Sequence, residues 1–320
     1  MKIIFITLSN IGDVILTLPA FSLLRTNFKD AKIDVVVGPR AKDVFIKDPR
    51  VNKLFVYDKN IAFRKKIDFI KELRSERYDL AVDMRTSLMP ILIGAKRYTN
   101  FMAFGRIKRC HKRLVHLNRL KGLGISITDI PKKNIYIDDN ERKLINELLE
   151  ENSVEKNDIL IGMSPACRSL LKQWHTDGFI EVIKAILKQG DYKIVLIGDS
   201  NQVEISQKIV SAIQDPRLLD LTGKTDLNML FALIERTKLL VTCDSAPLHI
   251  ACDLGVRVVA IFGPTDPVSY GPTGNCDIVV RKDLRCSPCN KARCSFNNEC
   301  MRLIEPDNVL EAIKGILTKL

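Results

Sequence analysis

Short apolar runs rich in β-branched residues alternate with stretches of helical periodicity along the whole chain. In the first half, these runs predict strands at Ile3–Leu8, Ile33–Val37, Lys53–Val56 and Leu80–Val82, and a helix is expected to begin near Pro19. In the second half, they predict strands at Ile159–Gly162, Lys193–Ile197, Leu239–Thr242 and Val258–Phe262. This alternation is typical of parallel sheets covered by helices on both faces. The sequence therefore predicts an α/β chain of doubly wound, Rossmann-like sheets.

A polar stretch near the middle of the chain separates the two groups of strands. It covers Asp138–Lys156 and contains a helix-like segment at Glu141–Glu150. Because 320 residues suit two domains of ordinary size, we expect domains at 1–155 and 156–320, the second ending in an amphipathic helix over Pro306–Leu320. Two such domains are expected to face each other across a cleft, with ligands at the C-terminal edges of their strands.

The beginning of the chain does not have the pattern of an export signal. Ser9, Asn10 and Asp13 interrupt the first apolar run after about eight residues. No later segment approaches the roughly 18 consecutive apolar residues of a membrane span. The nine cysteines, an odd number, indicate reduced thiols rather than a disulfide framework. These features predict a cytoplasmic protein.

Positive charge is concentrated in the first half of the chain. Residues 1–150 contain 30 basic and 17 acidic side chains, a net charge of +13, whereas the rest of the chain is nearly neutral. The densest stretch, Lys96–Lys121, contains nine basic residues and no acidic one. Such a run is either a solvated surface or the contact for a phosphate-bearing partner, and both interpretations stay open.

The first loop of chemical interest follows the first predicted strand and runs from Ser9 to Asp13. Gly12 permits a tight turn, and the carboxylate of Asp13 is suited to accept a proton from an attacking hydroxyl. The alternative is that Asp13 caps the following helix. The loop by itself favours the cap.

Three further loops also follow predicted strands. Small residues from Asp244 to His249 suit the binding of a phosphate or diphosphate at a helix N-terminus. Lys172, beside the only Trp, is a candidate positive contact, and Glu204 is a candidate carboxylate for ribose hydroxyls. The alternatives are a packed histidine at position 249, a surface lysine and a solvated helix start.

Together these loops resemble the ADP-heptose:lipopolysaccharide heptosyltransferases, which have the glycosyltransferase-B fold. The resemblance covers nearly the whole chain, through LSNIGDVILTLPAFSLLR, DMRTSLMPILIGAKRYTNF, KQWHTDGFIEVI and VTCDSAPLHIACDLGVRVVAIFGPTDP. It implies an inverting glycosyltransferase that transfers a heptose from ADP-L-glycero-β-D-manno-heptose to the lipopolysaccharide inner core without a catalytic metal. This chain departs from the family pattern at His175, where Pro is usual, and at Ala246, where Gly is common.

The resemblance also implies roles for individual residues. Asp13 matches the general base, in the N-terminal, acceptor-binding half. The residues that match donor contacts in the C-terminal half are Lys172, Glu204, Asp244, Ser245, Ala246 and His249. If the resemblance holds, Gly12 and the basic side chains Arg97, Arg106 and Lys108 are expected to contact the anionic acceptor or the inner membrane surface that carries it.

Four cysteines lie close together near the end of the chain. Cys286, Cys289, Cys294 and Cys300 have the ligand number of a tetrahedral structural zinc or iron site. The alternative is a set of reduced thiols on a long loop.

Two other classes of protein remain as alternatives at this stage. A nucleic-acid-binding protein would use the basic half and the cysteine cluster, but the basic run offers only Tyr98, Phe101 and Phe104 for base stacking. A nucleotide-dependent oxidoreductase would need G-x-G-x-x-G after the first strand, and the sequence lacks it there. We therefore favour a transferase, with a different nucleotide sugar as a further alternative and no nucleic-acid partner.

Overall fold

The chain forms two compact α/β units in a computed structural model that describes residues 1–99 and 109–319. The first unit is Met1–Tyr136 and the second is Ile137–Leu320. Within the described residues, no helix combines the length and the apolar character needed to cross a bilayer.

The first unit is built on a five-stranded parallel sheet with the order β3-β2-β1-β4-β5. Its strands are β1 (Lys2–Ile6), β2 (Lys32–Val37), β3 (Lys53–Val56), β4 (Leu80–Asp83) and β5 (Arg97–Tyr98). Its α-helices are α1 (Ile11–Ile15), α2 (Leu18–Asn27), α3 (Phe63–Ser75), α4 (Met89–Leu92) and α5 (Lys112–Lys121), and Pro39–Val44 forms a 3-10 helix.

Helices cover this sheet because its central strand is apolar on both faces. Residues 3–6 of β1 are completely buried. Phe5 contacts Phe21 of α2 with ring centroids 5.5 Å apart. Ile4 and Ile6 belong to a buried cluster that also contains residues of α3 and α4, so these two helices share one face of the sheet.

The second unit is built on a six-stranded parallel sheet with the order β11-β10-β9-β6-β7-β8. Its strands are β6 (Leu160–Ser164), β7 (Lys193–Leu196), β8 (Leu218–Asp220), β9 (Leu239–Cys243), β10 (Arg257–Ile261) and β11 (Ile278–Val280). Its α-helices are α6 (Asp139–Glu151), α7 (Thr176–Gln189), α8 (Val203–Ile213), α9 (Leu227–Arg236), α10 (Ala246–Leu254), α11 (Pro267–Tyr270), α12 (Glu299–Arg302) and α13 (Pro306–Leu317). Leu170–Lys172 and Ser200–Gln202 are 3-10 helices.

The predicted fold class, two doubly wound α/β domains, is confirmed. All eight predicted strands are present to within two residues at each end, and the helices near Pro19 and at the end of the chain are also present. Three short edge strands, β5, β8 and β11, were not predicted. Their two or three residues are too few to give a periodic signal.

The predicted domain boundary near residue 155 is displaced from the one in the structure, which lies between Tyr136 and Ile137. The reason is that α6 packs against α9 and therefore belongs to the second unit. Ile145 and Leu149 are buried in this contact, and Arg142 Nε donates to a carboxylate oxygen of Glu235 at 2.8 Å. The polar residues of this stretch therefore belong to the solvent-exposed face of α6 and do not mark the domain boundary.

Candidate functional site

The second unit has its topological switch point between β6 and β9. These strands are neighbours, with Ser164 paired to Thr242, but the chain continues from them toward opposite edges of the sheet. Loops that leave such a pair diverge and leave room for a ligand at the C-terminal edge. The loop after β6 contains Lys172, and the loop after β9 contains Asp244.

Lys172 and Asp244 form an ion pair at this switch point. The ammonium of Lys172 donates to Oδ2 of Asp244 at 2.6 Å, although 72 residues separate them in the chain. The Asp244 side chain is only 5% exposed, whereas that of Lys172 is 32% exposed. The carboxylate is therefore fixed inside the protein, and it holds a lysine that solvent or a ligand can still reach.

The segment that carries Lys172 is anchored by the single tryptophan. Trp174 is completely buried, and its indole N–H donates to the carbonyl of Ile304 at 2.9 Å. Its ring lies 5.1 Å from that of Phe179 in α7. His175, at the position where the family usually has Pro, instead caps α7 by accepting the N–H of Gly178 at 2.9 Å. Trp174 therefore supports the Lys172 segment by packing.

Helix α10 begins two residues after Asp244, so its N-terminus lies beside the ion pair. Ser245 is its N-cap, but the Ser245 side chain makes no cap hydrogen bond and instead contacts Thr242 Oγ1 at 3.1 Å. Pro247 occupies the first turn, where an N–H is not needed. The free N–H groups of the first turn and the positive end of the helix dipole suit an anion such as a phosphate.

His249 lies on the first turns of α10 and faces the ion pair. It is 7% exposed, and its Nε2 lies 3.8 Å from Oδ1 of Asp244. Asp244 therefore has Lys172 on one oxygen and His249 near the other. The structure brings together four of the residues that the sequence predicts to contact the nucleotide-sugar donor: Lys172, Asp244, Ser245 and His249. A fifth, Ala246, is the first residue of α10.

Two buried thiols lie beside the loops that carry Lys172 and Asp244. The Cys167 thiol donates to the carbonyl of Lys172 at 3.8 Å, and Cys243 directly precedes Asp244. The hydrogen bond with Cys243, together with burial, raises the pKa of the Cys167 thiol well above its usual value. Both thiols are buried and are therefore structural rather than reactive.

Glu204 lies in the first turn of α8, after β7, with its side chain exposed. Asp199 and Gln202 form a capping box just before it. Within residues 1–99 and 109–319, the Glu204 carboxylate makes no hydrogen bond or ion pair, and its predicted contact with ribose stays a prediction.

In the first unit, Gly12 and Asp13 lie within the short helix α1 rather than in a turn. Asn10 is the N-cap, and its amide donates to a carboxylate oxygen of Asp13 at 3.0 Å. The expected tight turn at Gly12 and the alternative role of Asp13 as N-cap are therefore wrong. Ser9, just before this helix, packs closely against Gly38, which directly follows β2: a Cβ at Gly38 would lie 2.5 Å from the Ser9 side chain.

The loop after β4 contains functional candidates that sequence reasoning missed. β4 lies beside β1 at the switch point of the first sheet. The Asp83 carboxylate accepts the N–H groups of Arg85 and Ser87, each at 2.7 Å, which fixes the loop. Arg85 then places its guanidinium 5.4 Å from the centre of the Tyr57 ring. A signal was available, since the loop follows a buried strand and contains an arginine within DMRTS.

Arg85 has a buried nitrogen, Nη1, without a hydrogen-bond partner among the described residues. Arg119, from the predicted basic stretch, donates to the carbonyl of Asp83 at 3.0 Å, and burial lowers its pKa. Two guanidinium groups therefore lie at this edge of the sheet, Arg85 in the loop after β4 and Arg119 on the carbonyl of Asp83. This arrangement suits an anionic ligand.

The remaining predicted acceptor residues fall in and around the basic stretch. Arg97 is exposed on β5, and its guanidinium donates to the carbonyl of Leu123 at 3.4 Å. Arg106 and Lys108 lie outside the described residues.

The four C-terminal cysteines do not form the predicted tetrahedral metal site. In the described ranges, no three or more His, Cys, Asp or Glu side chains are grouped so that they could bind a metal ion. Cys294 is exposed, and its sulfur accepts the N–H groups of Phe296 and Asn298 at 3.3 Å. Burial, followed by the three neighbouring thiols, raises the pKa of Cys300.

Comparisons with known proteins agree with this architecture. A family model described as Glycosyltransferase family 9 (heptosyltransferase) matches residues 67–299. The lipopolysaccharide heptosyltransferase 3 of Escherichia coli K12 is 28% identical over 285 residues, which are 82% of each chain. The crystal structure of a family 9 glycosyl transferase from Veillonella parvula has a TM-score of 0.86 at 27% identity, and the match covers 100% of this chain and 98% of that one.

A second solved structure shows the same fold at lower identity. The ADP-heptose lps heptosyltransferase II of E. coli has a TM-score of 0.76 at 22% identity, with 100% of this chain and 99% of that chain covered. The two-unit fold and the family match define the class of protein as a glycosyltransferase. More particularly, the chain belongs to glycosyltransferase family 9, the heptosyltransferase family.

Proposed function

We propose that this chain transfers a heptose from ADP-L-glycero-β-D-manno-heptose to the inner core of lipopolysaccharide, with inversion at the anomeric carbon. The observation that carries this proposal is the Lys172–Asp244 pair at the start of α10, at the switch point of the second sheet. Membership of the heptosyltransferase family supports the sugar. The name of the E. coli relative, lipopolysaccharide heptosyltransferase 3, supports the acceptor, and that of E. coli heptosyltransferase II supports the ADP-heptose donor.

The second unit is proposed to bind the donor. Its diphosphate would lie at the N-terminus of α10, where the N–H groups near Ser245 and Ala246 and the ammonium of Lys172 supply positive charge. His249 would contribute a further donor to the same group, and Glu204 would accept from the ribose hydroxyls. Ala246 adds a methyl group where the family commonly has Gly, which narrows the approach of the diphosphate.

The first unit is proposed to bind the acceptor and supply the base. Asp13 would remove the proton from the acceptor hydroxyl as that oxygen attacks the anomeric carbon and the bond to ADP breaks on the opposite face. One displacement of this kind inverts the configuration and needs no catalytic metal. The departing diphosphate would be stabilised by Lys172 and the helix N-terminus.

The acceptor is proposed to be held by positive charge in the first unit. Gly12, Arg97, Arg106 and Lys108 were the candidates from sequence, and the partly buried guanidinium of Arg85 is added here. Phosphates and carboxylates of an inner-core acceptor would supply the partner that Arg85 lacks among the described residues. The enzyme would work in the cytoplasm, at the inner face of the membrane that carries this acceptor.

Calorimetric titration with ADP and with ADP-heptose tests the donor assignment. We expect both ligands to bind, and Lys172→Ala to weaken ADP binding by about tenfold to a hundredfold, since a charge-assisted contact contributes about 1.5–3 kcal/mol. Lys184→Ala is the matched control, because Lys184 is an exposed lysine of α7. Binding of a UDP-sugar but not of ADP-heptose would show that the donor differs. Binding of neither nucleotide would refute the proposal.

A further inference from the structure

Helices α3 and α4 carry large apolar side chains on the surface of the first unit. The exposed fractions are 76% for Phe63, 38% for Ile67, 57% for Leu88, 47% for Ile91 and 48% for Leu92. The first two residues belong to α3, and the other three lie on or directly before α4. We refer to these five residues as the α3–α4 apolar patch.

The patch is not needed for the packing of either helix. α3 already packs through Phe69, Ile70 and Leu73, and α4 packs through Met89, and all four belong to or contact the buried cluster beneath the sheet. Both helices bury residues against the same face of the sheet and contact each other, so their exposed side chains lie on the outer side of this helical layer. Exposed apolar side chains that cluster in this way generally mark an interaction surface.

Positive charge lies next to Phe63 at the beginning of α3. Arg64, Lys65 and Lys66 lie in the first turn, which contains no acidic residue. Cations at a helix N-terminus are repelled by the helix dipole, so this arrangement costs stability in the isolated protein. None of the three makes an ion pair with any residue that the structure describes. An anionic partner would relieve this repulsion.

We propose that the α3–α4 apolar patch and these three basic residues bind the surface of an anionic lipid bilayer. Apolar side chains would enter the boundary between head groups and acyl chains, and the lysine and arginine side chains would pair with lipid phosphates. Each basic residue near such a surface strengthens binding by about fivefold. Nucleic acid would use the basic residues but leave the apolar side chains exposed, and a second copy of the chain would bring the same positive charge.

The position of the patch suits the proposed reaction. α3 follows β3 and α4 follows β4, so both helices begin at the edge of the sheet where α1 carries Asp13. In this one respect the inference rests on the proposed function: a lipid surface there would present a lipid-anchored acceptor to the base.

Sedimentation of the full chain with lipid vesicles tests the surface. We expect the protein to bind vesicles of equal parts phosphatidylglycerol and phosphatidylcholine, to ignore phosphatidylcholine alone, and to be released by salt. Phe63→Ser with Leu88→Ser should weaken binding by at least about tenfold. Arg64→Glu with Lys65→Glu should weaken it by at least about twentyfold.

Matched controls come from the second unit. Leu144→Ser removes an apolar side chain that is 48% exposed, and Lys184→Glu with Lys188→Glu reverses two exposed charges of α7. Both controls should bind the anionic vesicles like the unmodified chain. Equal binding by the patch variants and the unmodified chain would overturn the proposal. The proposal would also be overturned if the unmodified chain did not bind vesicles but formed a dimer that Phe63→Ser dissociates. Binding of random DNA in preference to vesicles would overturn it as well.

ADP titration of the same variants separates this proposal from the proposed function. Patch variants that lose vesicles but bind ADP normally support the surface and show that the variants are folded. Vesicle binding by a chain that does not bind ADP would leave the surface standing and remove the enzymatic assignment.

Discussion

The Lys172 ammonium lies 2.6 Å from Oδ2 of Asp244, at the ends of two neighbouring strands of the second sheet. Asp244 is buried and fixed, so it determines where the ammonium can be. A lysine held in this way is preorganised for an anion, because its four-carbon side chain does not have to be ordered when the ligand arrives.

Asp244→Asn should weaken ADP binding by about tenfold, because the amide fills the same space but no longer holds Lys172 by charge. If Asp244 acts through Lys172, the same substitution in a Lys172→Ala background should have little further effect. Calorimetry on the four proteins measures this coupling. Asp177→Asn is the control, because Asp177 pairs with Lys208 at 3.1 Å on the exposed surface. Full additivity of the two effects would contradict a positioning role.

Asp13→Asn should reduce kcat by about 10²–10⁴-fold and leave the dissociation constant for ADP unchanged, since it removes the proton acceptor but not a donor contact. The amide can retain a hydrogen bond with Asn10, so the short helix should persist. Steady-state kinetics with ADP-heptose and an inner-core acceptor provide the measurement. A variant with normal turnover would rule out Asp13 as the base.

Arg85→Gln should raise the KM for the acceptor by about tenfold or more, because it removes a partly buried cation whose Nη1 has no protein partner within the described chain. ADP binding should not change. Arg77→Gln, at an exposed position of the same unit, is the control. An unchanged KM in the Arg85 variant would assign the arginine to packing against Tyr57 alone.

We expect the buried His116 to lower the free energy of unfolding in mild acid. Burial, followed by the nearby charges of Arg119, Lys112 and His111, lowers its pKa from 6.5 to about 3. Between these two values the unfolded chain binds a proton that the native chain does not, so the free energy of unfolding falls as the pH decreases below 6.5. At pH 5 the loss from this group is about 2 kcal/mol.

The prediction can be isolated with His116→Leu, which removes the titrating ring. Urea unfolding at pH 7 and pH 5 should show a smaller decrease for the variant than for the unmodified chain. Equal decreases would mean that His116 is protonated in the native state.

The sequence determined the local elements and most of the donor loop. Buried strands such as β1 and β9 are short β-branched runs, and their periodicity is a property of neighbouring residues. For the same reason, the loops that follow strands, including those with Lys172 and Asp244, could be identified from the chain alone. The resemblance to the heptosyltransferases rested on the same local motifs.

Only the tertiary structure decided which of these loops meet. Lys172 and Asp244 are far apart in sequence, and their contact depends on the order of the strands in the sheet, which the crossover helices set. The unpartnered Arg85 nitrogen, the membership of α6 in the second unit and the arrangement of the cysteines likewise depend on packing. Spacing along the chain suggested four metal ligands, but ligand geometry is three-dimensional, and in the described residues the fold buries Cys300, exposes Cys294 and groups no three such side chains as metal ligands.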